Sequence, residues 1–253
     1  MSIHRFFIPR EWIDGRQVTL IEDTVHQIRH VLRMGAGERI IVLDDSGWER
    51  EVELTRVAQN VVLGRVIEER LAPGEPRTKI SLYQGVLKAQ KFEWVLQKGT
   101  ELGLIEFIPV VCERSLVGDL EDVDRKLGRW GRIIREAAEQ SRRGRLPVLR
   151  PAMLFIQGCQ RAKRSGGLSL VPWEGEKVSS LKSALTADEA GERPFSISIF
   201  IGPEGGLTDE EIETAQRYDV KPVSLGPRIL RAETAGLVTA AAILYELGDL
   251  EWG

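Results

Sequence analysis

Over the first 72 residues, apolar side chains alternate with polar ones or run at strand length. RIIVLD (39–44), EREVEL (49–54) and NVVLGRVI (60–67) read as three strands. Asp44-Asp45-Ser46-Gly47 predicts a hairpin turn between the first two. One helix interrupts them, with Asp23 or Thr24 as its cap, Val25, Ile28, Val31 and Leu32 as its apolar stripe, and Gly35 past its end. A short β-barrel is the natural packing. Pro73-Gly74-Glu75-Pro76 then breaks the periodicity, so a small β domain over 1–72 and a second domain over 73–253 are expected.

From residue 79 the period changes. KISLYQGVL reads as a strand, Phe92, Val95, Leu96, Gly99 and Leu102 share a helical face, and IEFIPVV (105–111) is a second strand. A helix over about 123–141 carries Val123, Leu127, Trp130, Ile134 and Ala137 at core spacing. Alternating strands and helices imply an α/β domain with a mostly parallel sheet covered on both faces. Between 158 and 194 only a short strand, Leu168 to Val171 ending in Pro172-Trp173, and a helix around Leu181, Ala184 and Leu185 are legible.

Two blocks near the C-terminus carry the chemistry. In ISIFIGPEGG (197–206) the run Ile197, Ile199, Ile201 reads as a buried strand stopped by Gly202-Pro203-Glu204-Gly205-Gly206. Thr208 and Glu211 have capping-box spacing, and Asp209, Glu210 and Glu211 place acid in the first turn of the helix that follows. In VSLGPRILRAETAG (223–236), Val223 and Leu225 end a strand, Gly226-Pro227 turns the chain, and a small-residue helix runs from about Glu233 to Leu247. Exposed amides after such turns often take phosphate, yet Glu204 puts a carboxylate in the turn and no phosphate-loop or dinucleotide fingerprint is present. A cationic or neutral ligand held by backbone groups suits these turns better; plain strand-to-helix connections are the other reading.

Composition narrows the field. The chain of 253 residues has no apolar stretch long enough to span a bilayer and no cleavable leader pattern, so a cytosolic location is expected. Cys112 and Cys159 lack metal or disulfide spacing and read as idle thiols, and His26 and His30, at i and i+4, lack a third ligand. No metal is expected. The formal net charge is −3, but residues 125–164 hold twelve basic side chains against two acidic ones, ten of them arginine. That run is either a solvated face or a phosphate-contacting one; forked guanidiniums beside Gly144 favour the second.

GPEGGLT (202–208) and LGPRILRAETA (225–235), with HRFF (4–7), HVLRMGAGE (30–38), QGVLKAQKFEWVLQKGTELGL (84–104) and REAAEQSRRGRLP (135–147), closely resemble the blocks of the RsmE family of small-subunit ribosomal RNA (uracil-N3)-methyltransferases, of the SPOUT class. The resemblance covers nearly the whole chain. It implies a PUA-like barrel followed by a SPOUT-type α/β domain with a trefoil knot, which periodicity could not propose. It also implies S-adenosyl-L-methionine as cofactor, a homodimer paired through knot-adjacent helices, and 16S ribosomal RNA, free or in the 30S subunit, as substrate.

Carried onto this sequence, the cofactor site comprises Ile201, Gly202, Glu204, Gly205 and Gly206, then Leu225, Gly226, Ile229, Leu230 and Arg231, with Val171 and Pro172 as a third wall. Leu225, Ile229 and Leu230 could equally be core. Arg231 is the candidate for stabilising charge on the uracil oxygens, an ion pair with Glu233 being its alternative role. Glu233 and Thr234 are candidates for proton handling and Gln140 for hydrogen bonding to the base. No residue stands out as a general base. RNA contacts are expected from Arg5, Arg10, His30 and Arg33, from Lys88 and Lys91, and from Arg142, Arg143 and Arg145. Competing functions are a non-catalytic RNA-binding assembly factor, a nucleotide-dependent enzyme, or methyl transfer to another RNA target.

Overall fold

The computed structural model describes residues 3–88, 90–116, 119–186 and 193–251. The chain packs as two units, Met1–Glu75 with Arg135–Leu146, and Pro76–Ile134 with Pro147–Gly253.

The N-terminal unit is built on six strands: β1 (Arg5–Phe7), β2 (Ile13–Asp14), β3 (Gln17–Leu20), β4 (Arg39–Leu43), β5 (Trp48–Val57) and β6 (Val62–Leu71). Their order is β1-β4-β5-β6-β3-β2, antiparallel except for β1 beside β4. Register shifts at Glu51/Val52 and Leu54/Arg56 in β5 bend the sheet around a core of Val18, Leu20, Ile28, Ile40, Val52 and Val62. Among the described residues the terminal strands do not pair, so the expected barrel is a curled half-barrel. The predicted hairpin turn is present: Asp45 and Gly47 take positive φ, and the Ser46 N–H donates to Asp44 Oδ1. The predicted helix is shorter, α1 (Glu22–His26), and continues as a wider turn over Gln27–Val31; Val31 is exposed instead of completing the stripe.

Residues 135–146 belong to this unit for an identifiable reason, although helical periodicity alone placed them with the second domain. Edge strand β1 leaves the backbone of Phe7 unpaired, and side chains satisfy it: the Phe7 N–H donates to Glu139 Oε1 at 2.9 Å and Arg135 Nη1 donates to the Phe7 carbonyl at 2.8 Å. Ala138 packs against Phe7, Ile41 and Leu43. Glu75 then accepts from the backbone N–H groups of Gly144 and Arg145, both at 3.1 Å, closing the segment onto the end of the β domain.

The second unit holds a seven-stranded sheet in which every pairing is parallel: β7 (Lys79–Gly85), β8 (Glu106–Val111), β9 (Val148–Leu149), β10 (Met153–Leu154), β11 (Leu168–Pro172), β12 (Ser196–Ile201) and β13 (Val220–Val223). The main order is β10-β8-β7-β12-β11-β13, with β9 also against β8. Side-chain alternation sends Ile197, Ile199 and Ile201 to one face and Phe200 to the other. On the first face lie α2 (Gln90–Leu102), α3 (Leu120–Asp124), the start of α4 (Leu127–Gln140) and the last helix, with Phe92 stacked on Trp130 at 4.3 Å. On the second lie α5 (Phe155–Ser165) and the helix after the GPEGG turn, around stacked Tyr83 and Phe200. The sequence missed α5 because, after Phe155, its buried face is Gly158, Cys159 and Ala162, residues that leave a weak apolar signal.

Three helices complete the unit: α6 (Leu181–Ala184), α7 (Asp209–Arg217) and α8 (Ala232–Glu246). The capping box forms as read, Thr208 accepting from the Glu211 N–H at 3.2 Å and Glu211 Oε2 from the Thr208 N–H at 3.0 Å. Both cysteines are buried and free.

Candidate active site

In the sheet order β12-β11-β13 three adjacent parallel strands end on the same side. Their outgoing segments, 173–180, 202–208 and 224–231, are therefore neighbours, in the position where open α/β sheets take ligands. They are stitched together by backbone: the Trp173 N–H donates to the Val223 carbonyl at 3.0 Å, Ser224 N–H to Ser179 O at 2.8 Å, and Leu181 N–H to Ser224 O at 3.1 Å. Between them is a cleft of about 390 Å³.

The GPEGG turn closes by a 3.0 Å bond from the Gly206 N–H to the Pro203 carbonyl, with Gly206 at φ +72°, a conformation that costs glycine little. It sits directly on the end of β7: a Cβ on Gly85 would come within 2.5 Å of the Pro203 nitrogen, so only glycine permits that approach. Arg114 Nη1 pins the turn from outside through the Gly205 carbonyl at 3.2 Å. The second turn has Gly226 at φ +96°, its N–H donating to Ser224 Oγ at 3.2 Å.

Pro172, Ile201, Gly202, Glu204, Gly205, Gly206, Leu225, Gly226, Ile229, Leu230 and Arg231 all line this cleft. Val171 does not; with no exposed surface it belongs to the core under α5 and α7, and its contribution is to fix Pro172. Ile229 is 83% exposed, so it is no core residue, whereas Leu225 packs against the core. Trp173, Glu174, Glu176, Ser224 and Arg228 also line the cleft and were not singled out from sequence. Trp173 alone had a signal, as the residue after the strand-ending proline.

Arg231 sits at the N-cap position of α8, exposed, and makes no ion pair among the described residues. Glu233 pairs with Lys91 instead, at 3.8 Å, and the same ammonium lies 3.5 Å from Glu204 Oε1. Glu204 also accepts the Lys88 N–H at 3.2 Å. Burial pulls the Glu204 carboxyl upward, but the Lys88 and Glu204 N–H groups and the Lys91 charge outweigh it and hold it below the usual carboxylate value. The second oxygens of Glu204 and Glu233 are buried, with no hydrogen-bond partner among the described residues. Of the two lysines expected to reach RNA, Lys91 thus braces Glu204 with its ammonium, whereas Lys88 contributes its backbone N–H and its side chain is exposed. Gln140 falls in the N-terminal unit, where it lines a different concavity.

The remaining predicted RNA contacts all lie in the N-terminal unit. Arg10, His30, Arg33, Arg142 and Arg145 are exposed, although Arg145 already donates to the Ser46 carbonyl at 2.7 Å. Arg5 is paired with buried Glu49. Arg143 is only 2% exposed and holds Glu75 through two bonds, at 3.2 and 2.9 Å, so it organises the segment and presents nothing to a phosphate. Among the described residues no three His, Cys, Asp or Glu side chains are grouped so as to hold a metal ion.

A cleft of backbone groups and glycines, with the Glu204 carboxylate in its wall, fits a cation-bearing ligand that offers no phosphate. Comparison with known proteins agrees. Residues 74–244 match the RNA methyltransferase domain family. Ribosomal RNA small subunit methyltransferase E of Bacillus subtilis is 37% identical over 225 residues, 88% of each chain. The crystal structure of the Neisseria gonorrhoeae enzyme of that name, bound to S-adenosyl methionine, superposes with a TM-score of 0.85 at 27% identity, over 96% of this chain and 98% of that one. A Legionella pneumophila protein solved with the same cofactor gives 0.85 at 29% identity, over 97% and 98%. With the family domain matched over more than half of its length and a relative 37% identical over 88% of it, the chain belongs to the ribosomal RNA small subunit methyltransferase E family.

Proposed function

We propose that this chain methylates N3 of one uridine in small-subunit ribosomal RNA, using S-adenosyl-L-methionine held in the cleft at the ends of β11, β12 and β13. The observation that carries the reading is the cleft wall itself: two glycine turns offering backbone groups, and a Glu204 carboxyl held below its usual value. When bound, the cofactor supplies a methyl group on a sulfonium.

The chain's own residues would do the rest. Backbone N–H and C=O groups of the two turns read the adenine edge, and the ionised Glu204 complements positive charge. Arg231, exposed on the rim and uncommitted, stabilises negative charge as it develops on the uracil carbonyl oxygens once the imide proton leaves. Glu233 is engaged by Lys91, and the proton passes to water. Most of the rate then comes from orientation and charge placement. The exposed arginines of the N-terminal unit, Arg10, Arg33 and Arg142, would contact phosphates. A homodimer, the knotted threading and a uridine extruded from its stack belong to the same reading. No described helix is long and apolar enough to cross a membrane.

Mass spectrometry of ribosomal-RNA nucleosides tests it, after incubation of protein and cofactor with unmodified small subunits and, separately, with protein-free RNA. A single 3-methyluridine is the expected product; methylation at another atom or of another RNA would replace the target, and none despite cofactor binding would end the catalytic reading.

A further inference from the structure

The N-terminal unit contains its own concavity, of about 590 Å³, the size of small-ligand pockets. One side is apolar, with Leu32 and Val31, the latter 65% exposed, although the sequence pattern assigns it to a buried stripe. The other side is a helical face bearing Glu136, Glu139 and Gln140, with Arg142 just beyond. Glu139 Oε1 is occupied by the Phe7 N–H, leaving its second oxygen as acceptor, and Glu136, one turn earlier, makes no ion pair among the described residues. Arg142 is exposed, with φ +63° and no ion pair among the described residues.

Phosphate is a poor occupant. Two carboxylates one turn apart oppose an anion, and Arg5, the other guanidinium on the wall, is already committed to Glu49. What remains, with the exposed His4 and Gln27 also on the wall, is an apolar surface for a ring, carboxylate acceptors on one side, and the Gln140 amide and Arg142 guanidinium as donors. We propose that this concavity holds one unstacked guanine of the substrate RNA, a nucleotide other than the methylated uridine. Guanine alone among the bases presents adjacent N1–H and N2–H donors that one carboxylate can take together, while its O6 and N7 suit a guanidinium. Adenine lacks the ring N–H, cytosine offers a single amino group, and the N3–H of uracil is flanked by two oxygens that a carboxylate repels. The assignment rests on the RNA-directed reading above and deepens it by naming a base the enzyme reads away from its reaction centre.

The test uses the full chain and fluorescein-labelled oligouridines carrying one central guanosine, inosine or adenosine, followed by anisotropy, with cofactor affinity measured calorimetrically on the same preparations. The guanosine oligomer should bind about tenfold tighter than the inosine one, which lacks only the N2 amine. Glu136→Gln with Glu139→Gln should erase that difference without weakening plain oligouridine, and Gln140→Ala should reduce it. Glu136→Gln alone, at an exposed position, guards against misfolding. No guanosine preference, a preference that survives the double substitution, or no RNA binding at all overturns the assignment. Cofactor binding without guanosine preference sinks this pocket alone; guanosine preference without cofactor binding sinks the methyltransferase reading and leaves the pocket standing.

Discussion

Lys91 reaches Glu204 across 3.5 Å, tying the first turn of α2 to the glycine turn that follows β12. The same ammonium is 3.8 Å from Glu233 at the start of α8, so one cation holds two carboxylates, of which Glu204 lines the cleft. Replacing it, as in Lys91→Met, removes a charge that holds the Glu204 carboxyl low, so Glu204 should take up a proton more readily. Glu204 is held below its ordinary value, so its ionised form is favoured at neutral pH and lost only as pH falls through that lowered pKa. In Lys91→Met the loss moves to higher pH. Calorimetric titration of S-adenosyl-L-methionine between about pH 4.5 and 7.5 should show affinity falling at a higher pH in the variant; superimposable profiles would dismiss the bracing role.

Arg231, like Arg228 in the same cleft, is charged, exposed and without an ion pair among the described residues. If it stabilises charge arising only during transfer, Arg231→Ala should lower the single-turnover methylation rate on the order of a hundredfold while changing cofactor affinity far less. Arg231→Lys should recover part of the rate, since charge remains while the two-pronged geometry is lost. A variant that loses cofactor affinity and rate in proportion would make Arg231 a binding residue only.

Gly206 isolates the backbone contribution of the GPEGG turn. An added Cβ meets nothing within 4 Å, so Gly206→Ala introduces no clash; the φ of +72° alone is penalised. The expected cost is about 1 kcal/mol, or roughly 2–4 °C in melting temperature for a chain of this size. Cofactor affinity should fall with it, because the turn supplies the cleft's amides. Unchanged melting and binding would mean the turn relaxes freely.

Cys112 and Cys159 are both buried, and burial pushes the Cys159 thiol up to about 12 and Cys112 higher still. Neither should be alkylated by iodoacetamide at pH 8 until denaturant is added, as intact-mass measurement would show. Rapid labelling of the native chain would place a thiolate where the fold allows none.

Local pattern was enough for β4, β5 and β6 of the half-barrel, for α2, α7 and α8, and for the two glycine turns, because each is encoded in contiguous residues; the short strands β1, β2 and β3 were not legible. Ile201, Gly206 and Arg231 could be named from their own blocks. Features set by tertiary pairing were not legible. Nothing local marks Lys91 as the partner of Glu204 and Glu233, or Glu139 as the group that satisfies Phe7. Trp173, Glu174 and Glu176 reach the cleft only because β11 lies between β12 and β13, an order that chain position does not reveal.

Arg142 and Arg143 are adjacent in sequence and opposite in circumstance. Arg142 is exposed; Arg143 is buried against Glu75, whose remaining bonds fix Gly144 and Arg145. Arg143→Ala strands that carboxylate and should cost about 3–5 kcal/mol of stability, as expected when one member of a buried pair is removed. Chemical denaturation would read this as a lower midpoint with little change in slope. Arg142→Ala should leave the midpoint alone and act on RNA, weakening binding and reducing the slope of log affinity against log salt by about one contact's worth, roughly 0.7–0.9. If both variants changed the salt slope and neither changed stability, the run from Arg142 to Arg145 would be a phosphate-binding loop after all, and the ion pair with Glu75 would carry no structural weight.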